Sequence, residues 1–195
     1  MNARIWEMDF GNEIPNSIYK YRVMSVKHLR ELQKDFEDLD STGKIKNNPV
    51  FRSYIASKQH HLPESFPEAK SVVVIAVSTP LMIAHFLYNG TSYEILLAHY
   101  YDDGITEEQL KNTIRNQIIG NNGFRIENAK MHVLLKRLAV RSGLGKYGRN
   151  NLCYVEGMGS FLKLFAFFTD YSFDEDNWEP VGMMEMCEKC KVCQM

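Results

Sequence analysis

The sequence has neither a long apolar run nor an excess of charge of one sign. No stretch approaches the roughly 18 apolar residues that a membrane-spanning helix needs, and no basic region followed by an apolar run opens the chain. A formal net charge of -1 provides no overall attraction to nucleic acid or anionic lipid. We therefore predict a cytoplasmic protein, with no membrane partner and no indication of a nucleic-acid partner.

Cysteine is also scarce, and it is unevenly placed. Three of the four cysteines, Cys187, Cys190 and Cys193, lie close together at the end of the sequence, whereas a disulfide framework spreads its cysteines along the chain. Their spacing matches the first three positions of the bacterial ferredoxin pattern C-x2-C-x2-C-x3-C-P. Zinc is an alternative because it also accepts thiolates, and ordinary reduced thiols are another. Cys153, alone in an apolar run, is predicted to be a small buried side chain.

The hydrophobic pattern predicts alternating helices and strands. Helices are expected over residues 25–39, with Ser25 as N-cap, from Asn48-Pro49 toward Lys58, from Thr106 to about Ile119, and over 131–141. Strands are expected over 72–78, 81–88, 91–98, 151–155 and 161–169. Residues 72–78 have the composition of a strand buried on both faces, and Asn89-Gly90 is typical of a hairpin turn. The alternation predicts an α/β or α+β sandwich with a mixed sheet.

Glycines are concentrated after the last predicted helix. Gly143, Gly145 and Gly148 form one loop, and Gly157 and Gly159 form a second turn before a strand. Exposed backbone N–H groups in such loops could approach a ligand or a phosphate. The first loop follows a helix and not a strand, which argues against a dinucleotide-binding fingerprint. A helix cap followed by a turn would explain the same glycines.

Taken in order, these motifs resemble those of the epoxyqueuosine reductase-like iron–sulfur proteins, relatives of the reductive dehalogenases. The resemblance rests on LAVRSGLGKYGRNN, then GMGSFLKLFAFFTD, then an acidic loop and CEKCKVC. It implies a nitroreductase-like α/β domain over residues 1–180 that binds a base-off cobalamin. It also implies that residues 181–195 begin a ferredoxin-like domain, truncated within its first cysteine motif. In such proteins two [4Fe-4S] clusters supply the cobalamin with electrons.

The resemblance assigns roles to individual residues. The loops on the cofactor side would include Arg141, Gly143, Gly145, Gly148, Asn150, Gly159 and Ser160. Cys187, Cys190 and Cys193 would ligate a 4Fe-4S cluster in the full-length protein, whereas this chain lacks the fourth cysteine. Ala129 stands where the family carries a proton-donating aspartate, and its ionisable neighbours Glu127, Lys130 and His132 are more typical of solvated or packing residues. The catalytic residues therefore stay unassigned.

Two functions from different classes remain open. The first is the N-terminal part of an iron–sulfur oxidoreductase, cobalamin-dependent, with an unknown substrate and a redox partner protein. The second is a non-catalytic domain that keeps the fold and binds a corrinoid or a partner protein. In either case a ligand pocket is expected between the sheet and the loops 143–151 and 157–161, because binding groups concentrate in loops at the ends of rigid elements.

Overall fold

The computed structural model describes residues 11–15, 18–43, 45, 48–58, 60–79, 82–97, 104–120 and 123–194. Its strands are β1 (Tyr19–Ser25), β2 (Ser71–Ser78), β3 (Met82–Tyr88), β4 (Thr91–Leu97), β5 (Ile126–Asn128), β6 (Lys146–Tyr147), β7 (Cys153–Tyr154) and β8 (Leu162–Thr169). Its α-helices are α1 (Leu29–Ser41), α2 (Pro49–Ala56), α3 (Glu107–Thr113), α4 (Leu135–Arg141) and α5 (Glu185–Lys189). A π-helical segment, Ile114–Ile119, extends α3, and 3₁₀ turns lie at Val26–His28 and Val192–Gln194.

A four-stranded sheet in the order β1-β2-β8-β5 forms the centre of the molecule. Strand β2 pairs with β1 on one edge and with β8 on the other, as its run of β-branched residues favours. Its side chains alternate between two apolar cores. One core also contains residues of α1 and α4, and the other contains residues of α3 and its π-helical extension. The prediction of a central strand buried on both faces is therefore confirmed.

The prediction of a mixed sheet is wrong, because every ladder among the described strands is antiparallel. Alternating helices and strands along a chain suggest parallel crossovers. The relative direction of two strands, however, depends on whether the connecting segment re-enters the sheet at the end it left or crosses to the opposite end. Local sequence does not encode this choice. The described parallel contact is an isolated bridge between Tyr147 and Met183.

Local turn and cap signals in the sequence are confirmed. Asn89 and Gly90 have φ angles of 49° and 75°, as a type I′ hairpin turn requires. Thr106 and Gln109 form a reciprocal capping box at the start of α3, and Gly120, with φ of 72°, ends the π-helical segment. The side chain of Asn48 accepts a hydrogen bond from the N–H of Phe51 at the start of α2.

Several predicted boundaries differ from the structure. Ser25 ends β1 and caps the 3₁₀ turn, so α1 begins only at Leu29. Helix α4 begins at Leu135 because the preceding residues form a turn, in which the N–H of His132 donates to Ala129 O at 2.9 Å. The strand expected over 151–155 is reduced to β7, which pairs with the unpredicted β6. None of the described helices combines the length and apolar character of a membrane span.

Candidate functional site

A groove of about 540 Å³ lies where the two glycine turns meet the segment that leads to the cysteines. Its walls come from β1, from both turns and from the start of α5, and the lining residues are Lys20, Arg22, 143–146, 154–157, Gly159 and 184–186. Volumes of a few hundred Å³ are typical of small-molecule sites. The groove occupies the place that was expected for a ligand pocket, and three of the predicted cofactor-side residues, Gly143, Gly145 and Gly159, line it.

The N–H groups of the predicted glycines are already used within the chain. Each donates to a nearby carbonyl, at N···O distances of 3.1 Å (Gly143 to Val140), 3.1 Å (Gly145 to Ala139), 2.9 Å (Gly148 to Leu152) and 2.9 Å (Gly159 to Val155). The bond from Gly143, together with one from Leu144 to Ala139, is the pattern of a Schellman cap on α4. The expectation that these amides face a ligand is therefore wrong at these four positions.

Close packing explains the absence of side chains at two of these positions. A Cβ atom at Gly145 would lie 2.7 Å from Tyr154 O and 2.8 Å from Cys153 Sγ. A Cβ atom at Gly148 would lie 2.5 Å from a ring carbon of Tyr154. Gly143 adopts a φ of 69°, which favours glycine at the end of a helix. A helix cap and a turn therefore explain the glycines of the first loop. Two of them, Gly143 and Gly145, also line the groove.

Asn150 and Ser160 lie outside the lining of the groove. The Asn150 side chain donates to the Tyr154 hydroxyl at 2.9 Å and accepts from the N–H of Leu152 at 3.2 Å, so it stabilises the turn between β6 and β7. Gly148 lies in the same turn, also outside the lining. Ser160 is half-buried next to Gly159. The structure therefore does not bring these three predicted residues together with the groove.

The segment that carries Cys187 docks on the first glycine loop. Tyr147 donates its N–H to Gly182 O at 2.9 Å and accepts from the N–H of Met184 at 2.9 Å. The Arg149 guanidinium donates to Cys187 O at 2.7 Å, across 38 positions of sequence. Sequence analysis missed these contacts because most of them join backbone groups, which no residue pattern identifies. The two motifs that were recognised separately thus form one structural unit.

Arg141 lies away from the groove, where it anchors the segment between β8 and α5. We call residues 170–184 the strap. The Arg141 guanidinium lies 4.3 Å from the centre of the Trp178 ring and donates to Glu179 O at 2.8 Å. It also pairs with Glu31 of α1 at 3.2 Å. Arg141 therefore positions the strap, and the acidic loop ahead of the cysteines is attached to the domain.

Further contacts of the strap surround His28. The Trp178 ring stacks on the His28 ring with centres 4.5 Å apart, and its Nε1 donates to Glu31 at 2.8 Å. The His28 ring also contacts the carboxylates of Glu31, at 2.6 Å, and Asp176, at 3.1 Å. The hydrogen bonds from His28 and Trp178 lower the pKa of Glu31. The strap is thus held by one aromatic stack and several charge-assisted contacts.

The three clustered cysteines are free thiols that follow the strap along the chain. Cys187 is half-buried, and Cys190 and Cys193 are exposed. Among the described residues, no three His, Cys, Asp or Glu side chains converge closely enough to hold a metal ion. As arranged here, the three thiols therefore do not form a metal site.

Cys153 is buried below the glycine loop, as predicted for a small apolar side chain. It belongs to the same apolar core as the buried residues of α4. Burial raises the pKa of its thiol to about 11, so the thiol stays protonated at neutral pH.

Ala129 is fully buried. Its N–H donates to Ala166 O at 2.8 Å, and its methyl group packs in the core with Val133. The next residues form a turn held by the ammonium of Lys58, which donates to Lys130 O at 2.9 Å. A carboxylate at this position would therefore be buried in the apolar core.

His60 and His61 contact this turn, which contains His132, although the sequence separates them from it. His60 is buried, and its backbone N–H donates to the backbone oxygen of His132 at 3.0 Å. The ring centres of His61 and His132 lie 5.8 Å apart. Burial lowers the pKa of both His60 and His132, which favours the neutral imidazole.

Solved structures of epoxyqueuosine reductases are similar to this structure. The enzyme from Streptococcus thermophilus is 20% identical, with a TM-score of 0.56, over 90% of this chain and 47% of that chain. The enzyme from Bacillus subtilis, solved with its catalytic aspartate loop swung out of the active site, is 18% identical, with a TM-score of 0.57, over 90% of this chain and 46% of that chain. This chain shares its fold with part of these enzymes.

An epoxyqueuosine reductase in complex with an epoxyqueuosine-modified tyrosine tRNA stem loop is similar to the same extent. It is 18% identical, with a TM-score of 0.54, over 90% of this chain and 47% of that chain. The chain thus spans about half the length of the solved structures that it matches. No protein-family model and no curated protein sequence matches the chain. The similarity to these structures confirms the predicted α/β class.

Proposed function

We propose that this chain is the ligand-binding α/β part of an oxidoreductase similar to epoxyqueuosine reductase. The observation that carries the proposal is the groove, which is bounded by the glycine turns on one side and by the start of α5, two residues before Cys187, on the other. A ligand bound in this groove would lie beside the segment that carries Cys187. Residues 1–180 would form the ligand-binding domain, and residues 181–195 would begin the cysteine-rich part.

The cofactors in this proposal are a cobalamin for the groove and a 4Fe-4S cluster for Cys187, Cys190 and Cys193. Cobalt and iron–sulfur centres supply one-electron chemistry that side chains lack. Because the three thiols do not form a metal site as arranged, cluster binding requires the exposed end of the chain to rearrange and a fourth ligand to join it. The chain itself contributes the groove walls and the strap, which holds α5 against them.

A nucleic acid is a second candidate ligand, favoured by the cations of the groove. Lys20 donates to Glu156 O at 2.7 Å and Arg22 donates to Tyr21 O at 3.0 Å, so both cations contact backbone carbonyls. Lys146 lies 3.9 Å from the Glu185 carboxylate at the opposite wall. Phosphates bind to such side chains through charge, and a net charge of -1 over the whole chain does not exclude a local site. The similar structure with a bound tRNA stem loop supports the same interpretation.

Cobalamin titration with a groove-filling variant tests the first proposal. We expect the chain to bind aquacobalamin, with a change in its visible spectrum, and Met186→Trp to weaken binding about tenfold because the indole occupies the groove. Met131→Trp is the matched control, since Met131 is similarly exposed and lies outside the groove. Binding that both variants leave unchanged would place the ligand elsewhere, and no binding by the unmodified chain would refute the cobalamin assignment.

Iron and sulfide analysis tests the cluster separately. After anaerobic reconstitution, we expect less than one 4Fe-4S cluster per chain, because three thiolates leave one iron of the cubane without a protein ligand. Replacing Cys190 by Ser should remove the bound iron, whereas replacing the buried Cys153 by Ala should not. A full cluster that survives Cys190→Ser would exclude the proposed ligand set.

A further inference from the structure

Both ring nitrogens of His28, which lies just before α1, face a carboxylate. Nδ1 lies 2.6 Å from a Glu31 oxygen, and Nε2 lies 3.1 Å from each carboxylate oxygen of Asp176 in the strap. An ionised carboxylate can only accept hydrogen bonds, whereas a neutral imidazole has one donor nitrogen and one acceptor nitrogen. Both contacts can be hydrogen bonds only if the ring carries two protons, and His28 is then a cation.

Neither carboxyl group supplies the missing proton at neutral pH. The hydrogen bonds from His28 and Trp178 lower the pKa of Glu31. Burial raises the pKa of Asp176, but the hydrogen bonds from the Ser25 N–H and from His28 outweigh this effect and lower it. Both groups are therefore ionised acceptors, and the proton that completes the contacts belongs to the imidazole.

The cations near His28 act on its partners. Arg141 of α4 pairs with Glu31 at 3.2 Å, and its guanidinium lies 4.3 Å from the centre of the Trp178 ring. Lys27, the preceding residue, acts electrostatically on the carboxylate of the strap. The His28 ring itself contacts the two carboxylates and the indole. Its side chain is 19% exposed, so water can take its proton without the strap having to open.

We propose that His28 is a proton-dependent clamp on the strap, in which the protonated ring holds Asp176 and Trp178 against the start of α1. When the ring loses its second proton, one nitrogen presents a lone pair to a carboxylate, and the attraction between a cation and the indole is lost. The proton therefore stabilises the docked strap below the ordinary histidine pKa of about 6.5. This stabilisation is lost as the pH rises through the range in which the docked ring titrates.

The two ends of the strap should respond differently to pH. Near the clamp, the Asn177 N–H donates to Val23 O at 2.9 Å. At the far end, the Met184 N–H donates to Tyr147 O at 2.9 Å, a contact between backbone groups that do not titrate. Loss of the proton therefore loosens the strap at the clamp first, and the far end serves as an internal reference.

Hydrogen exchange of these two amides tests the proposal. Each protection factor compares the measured rate with that of an unfolded amide at the same pH. Between about pH 6 and pH 8.5, protection of Asn177 should fall about fivefold relative to Met184, since partly exposed ion pairs contribute modestly. His28→Gln should show the lower protection at both pH values. His85→Gln is the matched control, because His85 also pairs with a carboxylate, that of Glu94, but lies on β3 away from the strap.

Asp176→Asn keeps the shape of the contact and removes the need for the second proton. The amide oxygen introduced at this position can accept from the Ser25 N–H, as Asp176 does at 2.8 Å, and the amide nitrogen can donate to a neutral Nε2. We expect high protection of Asn177 at both pH values in this variant. A protection ratio that does not change with pH in the unmodified chain would overturn the proposal. An unaltered pH response in His28→Gln or in Asp176→Asn would overturn it as well.

Discussion

Strand β2 and the β3–β4 ribbon are built from similar apolar residues, yet they have opposite environments. Strand β2 has a neighbour on each edge and an apolar core on each face, so Ser71 to Val77 are all buried. The ribbon has one ladder between its own strands, and most of its large side chains remain exposed. The difference shows that an apolar, β-branched sequence specifies a strand, whereas the covering of that strand depends on which other elements reach it.

A buried charge should produce the largest difference between these two regions. Ala129→Asp places a carboxylate in the core beside β8, and we expect it to lower the free energy of unfolding by about 3–5 kcal/mol or to prevent folding. Ala84→Asp adds the same group to the ribbon, where water reaches it. This variant should lower the free energy of unfolding by about 1 kcal/mol or less. Urea denaturation of both variants measures the difference.

The Ala129→Asp variant also bears on the resemblance to epoxyqueuosine reductases. Ala129 was expected where the family has its proton donor, but it is fully buried. Gain of activity on introducing the aspartate is therefore not expected. A stable Ala129→Asp variant would show that the turn opens easily, and it would restore this position as a candidate site.

Truncation of one isoleucine in each region should have the next largest effect. Ile75→Ala leaves a cavity in the core between β2 and α3, so we expect a loss of about 2–5 kcal/mol. Ile83 is 51% exposed in the ribbon, and Ile83→Ala should change the free energy of unfolding by about 0.5 kcal/mol or less. Chemical denaturation measures both losses. Equal losses would mean that the ribbon is covered within a single chain.

The strap is an intermediate case, and its attachment should depend weakly on pH. The pKa of Glu31 is lowered from its ordinary value of 4.5, first by the hydrogen bond from His28 and then by that from Trp178. A lowered carboxyl pKa stabilises the folded contact above the ordinary value, and this stabilisation is lost as the pH falls through the folded value. We therefore expect the strap to loosen below about pH 4.5.

Fluorescence of Trp178 can follow this change in a Trp6→Phe background. Quenching by acrylamide should increase as the pH falls, and Glu31→Gln should show the increased quenching already at pH 7. Glu37→Gln on the exposed side of α1 is the control, because Glu37 contacts Gln33 and not the strap. The same acid-induced change in Glu31→Gln as in the unmodified chain would exclude Glu31 as the titrating group.

Signals confined to a few neighbouring residues were the reliable part of the sequence analysis. The Asn89-Gly90 turn, the Thr106 capping box and the glycine cap on α4 all depend on contacts within about five residues. Burial of Cys153 followed from the apolar run around it. The role of Arg141 was not predictable in this way, since its partners Glu31 and Glu179 lie 110 and 38 positions away.

The sequence by itself determined the types of element, their turns and caps, and the presence of two glycine turns ahead of a cysteine cluster. These features follow from backbone φ preferences, capping hydrogen bonds and apolar periodicity, which act locally. Only the tertiary structure decided that the sheet is antiparallel, that the glycine amides are used internally, and that the strap joins the cysteine segment to the groove. These outcomes depend on which distant backbone groups satisfy one another's hydrogen bonds, and every non-proline residue carries the same donor and acceptor.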